Sequence, residues 1–197
     1  MPFWSQNFAE DSTLNDPKRQ FRFLVEFQGI DAPNGGAALW YAKSAQKPSF
    51  EINSAEHKYL NHTFFYPGNV TWQTLDVVVV DPVNPDVTAT LADIVAQSGY
   101  SPPATANDLG SISKARAAGA LGTVIITQLD AMGNPLETWT LWNSYVKSVK
   151  FSDLTYGEDG LSDTTITLQY DWARVETANG SSAIAGAGGT SFFGVAS

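Results

Sequence analysis

The chain has 197 residues, of which 43% are hydrophobic and 12% aromatic, and its formal net charge is -9. That is enough apolar material for one packed domain, while 20 acidic against 11 basic side chains exclude a surface that grips nucleic acid, because phosphate binding needs Lys and Arg in excess. With no cysteine, disulfides, thiolate zinc sites and Cys nucleophiles are excluded, and assembly in a cytosol is expected.

Residues 1–17 read as a mixed arm, with Phe3, Trp4 and Phe8 set among polar groups and a close at Asp16-Pro17. The arm lacks the basic start and apolar stretch of a signal peptide, and no run elsewhere approaches the roughly 18 apolar residues of a membrane span. A soluble chain, not secreted by that route, is therefore expected. The glycosylation sequons at Asn61, Asn69 and Asn179 carry little weight without such a signal. Residues 20–28 alternate Phe21, Phe23, Val25 and Phe27 against Arg22, Leu24 and Glu26, the period of a half-buried strand. Gly29 and the run 31–36 turn the chain. Segments 38–42, 49–53 and 59–66 read as strand pieces and 70–80 as the strongest strand, with Pro67-Gly68-Asn69 as the turn before it. Strand chemistry over 40–80 is mixed with polar stretches that no small core buries, so these strands need a neighbour.

Asn84 as N-cap and Pro85 as the first helical residue start a helix that places Val87, Leu91, Ile94 and Val95 on one face and stops at Gly99. Residues 101–110 read as loop, and 112–120 as a short Ala-rich helix. Segments 123–129 and 136–142 flank turn chemistry at 130–135 and form a hairpin. Segments 146–151 and 162–172 make a further pair across the acidic loop 156–160. In the second of these, Ile166, Leu168, Tyr170 and Trp172 face the core and Thr165, Thr167, Gln169 and Asp171 face water. From Thr177 the composition turns to Gly, Ala and Ser, too little to offset its ordering entropy alone, and Phe192-Phe193 would pin this tail to a neighbouring subunit. The division is a β domain over 1–176, arm included, and a tail over 177–197. The element order specifies a mainly β protein: an antiparallel sandwich or barrel with one flanking α-helix and a long extended hairpin or loop.

The search for chemistry returns no catalytic, metal or cofactor residues. His57 and His62 lack the spacing of a helical zinc motif and read as structural or surface side chains. Neither a nucleophile elbow nor a phosphate loop occurs. The two S-x-x-K matches, at Ser44 to Lys47 and Ser111 to Lys114, lack the companion motifs. Asp153, Glu158, Asp159 and Asp163 read as a solvated acidic turn rather than a calcium loop, and no pair among the acids stands out for glycoside hydrolysis. Trp72, Trp139 and Trp172 read as core or subunit-contact residues, with Trp4 and Trp40 less determined. An exposed set of them would instead make a carbohydrate-binding β-sandwich.

Taken in order, FRFLVEF, AKSAQKP, HKYLNHTFFYPG with TWQTLDVVVVDP, LWNSYVKSVKFSDLTY and ITLQYDW span most of residues 18–175. This succession resembles the tail-tube protein of contractile-tailed bacteriophages. The resemblance implies a non-enzymatic structural subunit that forms hexameric rings stacked into a tube, with strands of all subunits sharing one inner barrel inside a contractile sheath. Its implied partners are copies of itself, the sheath, baseplate and tail-terminator proteins, and a tape-measure protein in the lumen. DNA would transit without specific binding past an acidic lumen, no cofactor or membrane would be involved, and the tube would belong to a virion assembled in the host cytoplasm. On the same basis Lys43, Lys47, Pro48, His57, Lys58 and Tyr59 are candidates for a hairpin between subunits or rings. Alternation makes Asp76, Thr165, Gln169 and Asp171 lumen candidates, and Phe192 and Phe193 docking candidates. The stretch 102–111 and the Gly-rich tail lie outside the resemblance. The tube of a related secretion or injection device, which carries effectors in place of a genome, shares the implied fold and symmetry.

Overall fold

The computed structural model describes residues 18–29, 42–83, 86–102, 110–157, 159–178 and 191–193. The arm at 1–17, the turn at 31–36, the strand piece at 38–41, Asn84, Pro85, Glu158 and most of the C-terminal tail lie outside the described residues. The elements run β1 (Phe23–Phe27), β2 (Ala42–Ala45), β3 (Phe50–Tyr59), β4 (His62–Trp72), β5 (Leu75–Val80), α1 (Val87–Gln97), α2 (Lys114–Leu121), β6 (Val124–Leu129), β7 (Pro135–Trp142), β8 (Tyr145–Lys150), β9 (Asp163–Gln169), β10 (Trp172–Thr177) and β11 (Ser191–Phe192).

Alternating sequence makes two sheets with one apolar side each. A five-stranded antiparallel sheet has the order β1-β6-β7-β10-β11, and a four-stranded antiparallel sheet the order β2-β5-β9-β8. Val25, Phe27, Val124, Leu141 and Ala173 from the first meet Leu75, Val77, Val79, Ile166 and Leu168 from the second in one core. Leu91 and Ile94 of α1 and Ala120 and Leu121 of α2 join it. The mainly β sandwich is as the alternation predicts, with two helices where one was expected as the flanking element.

Both helices are set by their caps. Asp86, rather than Asn84, caps α1: its carboxylate accepts from the Ala89 N–H at 2.9 Å, two residues later than the Asn-Pro pair suggested. Ser113 accepts from the Arg116 N–H and starts α2. Gly122 ends α2 at φ +69°, and a Cβ there would sit 2.3 Å from the Gly29 nitrogen. The helix end thus lies against the end of β1, where Gly29 N–H donates to Leu121 O at 3.0 Å.

Two sequence readings are corrected by local geometry. Residues 162–172 are not one strand: β9 ends at Gln169, and the Asp171 N–H donates to Trp142 O, turning the chain from the four-stranded into the five-stranded sheet. Trp172 therefore starts a new strand on the outside, 45% exposed, instead of extending the core face. Residues 70–80 likewise divide at Gln73-Thr74. Pro67-Gly68-Asn69 is no turn but an irregularity inside β4, where the register slips by one residue between the Ile52–Val70 and Ser54–Pro67 pairs. The turn is Leu60-Asn61, with Leu60 at φ +53°.

Candidate assembly surfaces

Among the described residues β3 and β4 pair only with each other, and they form a separate two-stranded hairpin. Its root continues the β2–β5 ribbon, because Gln46 N–H donates to Asp76 O at 3.0 Å and Gln73 N–H to Ser49 O at 2.9 Å between the two ladders. At about 3.3 Å per residue its ten-residue strand β3 reaches about 33 Å, against about 20 Å for the six residues of β5. The hairpin is longer than the sheet it leaves.

Register sorts its side chains. One face carries His57, Tyr59, His62, Phe64 and Tyr66; the other carries Ile52, Val70, Phe65 and Lys58. Every residue of β3, and all of β4 but Trp72, is at least one-third open to solvent, including Phe64, Phe65 and Tyr66. A two-stranded hairpin is at best marginal on its own in water, and contiguous exposed apolar surface marks an interaction site. Among the described residues only the root is covered: Phe50, Trp72 and Phe193 form a ring cluster with centroids 5.2–5.6 Å apart, and Tyr170 lies 5.9 Å from Trp72.

The predicted hairpin residues divide between two places. His57, Lys58 and Tyr59 stand at the hairpin's outer end, and Lys58 has no ion-pair partner among the described residues. Lys43, on β2, pairs with Asp163 of its own chain. Lys47, at the root, donates at 2.8 Å both to Glu137 and to Gln128, and Pro48 beside it is buried. Glu137, 8% exposed, also accepts from Lys18 and from the Trp139 indole. Burial pushes the Glu137 carboxyl up, but the hydrogen bonds from Lys18, Lys47 and Trp139 outweigh it and hold the pKa at about 2. This node ties the hairpin root to the five-stranded sheet. Nothing in the sequence joins residues 18, 47 and 137 except the fold.

Of the predicted lumen residues, Asp76, Thr165 and Gln169 share the outward face of the four-stranded sheet, opposite in register to its buried Leu75, Val77, Ile166 and Leu168. Asp171 stands apart at the sheet corner. Lys114 donates to its carboxylate at 2.7 and 2.8 Å and Asn143 at 2.9 Å, and those bonds lower its pKa, burial opposing. The cleft there, about 480 Å³, is lined by Lys114, Tyr145, Gln169 and Asp171, whose two charges neutralise each other. Both outer strands of this sheet, β2 and β8, have one edge unpaired among the described residues.

Phe192 and Phe193 dock on their own chain: β11 pairs with β10, and Phe193 caps the hairpin root. Trp142 went unnoticed in the sequence. It stands opposite Trp172 on the outer face of the five-stranded sheet, with the Arg174 guanidinium 6.0 Å from its ring. Its place at the end of an alternating run was the available signal.

Among solved structures, the chain superposes on one from an extracellular contractile injection system, the PVC sheath–tube complex in the extended state, with TM-score 0.61 and 16% identity over 85% of this chain and 99% of that one. It also superposes on a chain from the tube-terminating cap of the anti-feeding prophage, with TM-score 0.58 and 18% identity over 87% and 98% of the two chains. A third, from the 6-fold symmetrised baseplate of the anti-feeding prophage, gives 0.57 and 19% over 81% and 95%. The fold is that of contractile injection systems. No protein-family model matches the chain, and no curated protein matches it in sequence. Architecture, not sequence, is what is shared at these identities.

Proposed function

We propose that this chain is the tube subunit of a contractile tail: a structural, non-enzymatic protein that forms hexameric rings, stacks them into a hollow tube inside a sheath, and so provides the conduit for DNA delivery from a virion. The observation that carries the reading is the hairpin, apolar on both faces and bare beyond its root. A monomer has no use for such a structure, whereas copies of itself would cover it. The open edges of the four-stranded sheet support the same reading, since edge-to-edge pairing around a ring removes the aggregation hazard of a free strand. Its outward polar face, with Asp76, Thr165 and Gln169, would then line the lumen, and an acidic chain would let DNA pass without sticking. Sheath, baseplate, terminator and tape-measure proteins are the partners that such a tube requires.

The solved neighbours favour a second reading on the same fold, the tube of an injection device whose cargo is protein. Electron microscopy of the purified chain tests the shared part: rings or hollow tubes of uniform width are expected, and a monodisperse monomer that binds glycans would refute it. Nucleic acid or protein recovered from native tubes then separates the two cargoes.

A further inference from the structure

The hairpin hangs on a narrow hinge. Its two strands continue the β2–β5 ribbon through the main-chain bonds from Gln46 N–H to Asp76 O and from Gln73 N–H to Ser49 O, and a two-stranded ribbon twists more readily than a wider sheet. At a length of about 33 Å, a rotation of about 10° at the root carries the far end of β3 through about 6 Å. Side-chain braces at the root therefore decide where the hairpin points.

Two braces come from the five-stranded sheet. Lys47 is the first, bound to Gln128 of β6 and Glu137 of β7. The second is the C-terminal segment: β11 pairs with β10 through Val175–Phe192 and Glu176–Ser191, and Phe193 follows it. The Phe193 ring meets Phe50 of β3 at 5.6 Å and 71°, and Trp72 of β4 at 5.6 Å and 85°. One side chain thus stands edge-on against both strands of the hairpin.

Phe193 does nothing for the sandwich itself. It belongs neither to the core cluster nor to the partly buried side chains packed against that cluster, and it is 52% exposed. Its backbone sits at φ +60°, a state that a non-glycine residue keeps only where its surroundings over-determine it, and such residues gather at functional positions. What holds Phe193 there is the hairpin root on one side and the β10 pairing on the other.

Building on the tube reading, we propose that the segment 191–193 is a strut that aims the hairpin for assembly, with Phe193 as its positioning residue. It acts through Phe50 and Trp72, and Lys47 braces the same root through Gln128 and Glu137. The direction of the hairpin is thereby set by a segment remote from it in sequence.

The absence of native cysteine makes a direct test simple. Lys58→Cys at the hairpin end and Ala96→Cys on the exposed side of α1 each take a spin label, and pulsed dipolar spectroscopy below the assembly concentration reads the distance between them. Expected is one narrow distance in the labelled parent, a broad distribution when Phe193→Ala is added, and a narrow one again with Phe193→Tyr. The thermal midpoint should stay unchanged, because no core side chain is lost. In the unlabelled chain Phe193→Ala should raise the concentration needed for tubes about tenfold, as the loss of two edge-to-face ring contacts implies, and Phe193→Tyr should restore it. An equally narrow distance with Phe193→Ala, or a broad one with assembly unchanged, would overturn the strut and leave the tube reading intact. A midpoint that falls with Phe193→Ala would make the ring part of the core and overturn it as well. Wild-type chain that forms neither rings nor tubes would overturn the tube reading and the assembly role together, while the distance distribution still decides whether Phe193 holds the hairpin.

Discussion

Replacing Glu137 by Gln tests the node that fixes the hairpin root. The carboxyl ordinarily titrates at 4.5 and is held at about 2 in the fold, a difference worth about 3 kcal/mol if fully expressed. Lys18 and Lys47, its charged partners, are 51% and 47% exposed, so solvent screening reduces the expected value to about 1–2 kcal/mol. For a chain of this size that lowers the thermal midpoint by about 3–6 °C at pH 7. Because the folded pKa is depressed, the stabilisation is present in full above pH 4.5, shrinks as the pH falls toward 2 and is absent below it. Calorimetry of wild type and Glu137→Gln at matched pH between 2 and 7 measures the gap. Equal midpoints at pH 7, or a gap as wide at pH 2 as at pH 7, would refute the assignment.

Excising 50–72 and joining Ser49 to Gln73, which already share a hydrogen bond, should leave a folded, soluble subunit that no longer polymerises; tubes from this variant on electron microscopy would remove the hairpin from assembly. Leu141→Ala, at a fully buried position, should cost about 2–5 kcal/mol, read from the urea midpoint. Asp76→Lys should leave stability within about 0.5 kcal/mol and impede cargo passage. Asp171→Lys should lower the unfolding midpoint, because it sets a second cation beside Lys114 and removes the acceptor of Asn143. Cargo delivery as efficient with Asp76→Lys as with wild type would place that face away from the lumen.

The sandwich was legible wherever one sheet face is buried, since alternation such as Val25 and Phe27 or Ile166 and Leu168 directly records the side that meets the core. The hairpin was visible as strand chemistry lacking a core, but its turn was not. Pro67-Gly68 carries the composition of a turn and serves as a bulge, while Leu60, with no turn signature, takes the positive φ demanded by a two-residue hairpin loop. The corner at Asp171 was hidden because alternation continues through Tyr170 into Trp172 without a break, and the strand is interrupted by long-range bonds at Asp171, whose N–H donates to Trp142 O and whose carboxylate accepts from Lys114 and Asn143. Lys47 looked like a contact for another subunit for the same reason: its carboxylate partner lies 90 residues away. Pairings over such separations leave no local periodicity.

The aromatic cluster at the hairpin root has a bearing on timing. Phe50 and Trp72 emerge from the ribosome early, whereas Phe193, which packs edge-on against both, is made long after them. A nascent chain therefore exposes its apolar hairpin on an unfinished base and lacks the ring that steadies it. If the hairpin joins copies of this chain as proposed, that contact lacks its full base until Phe193 has been made.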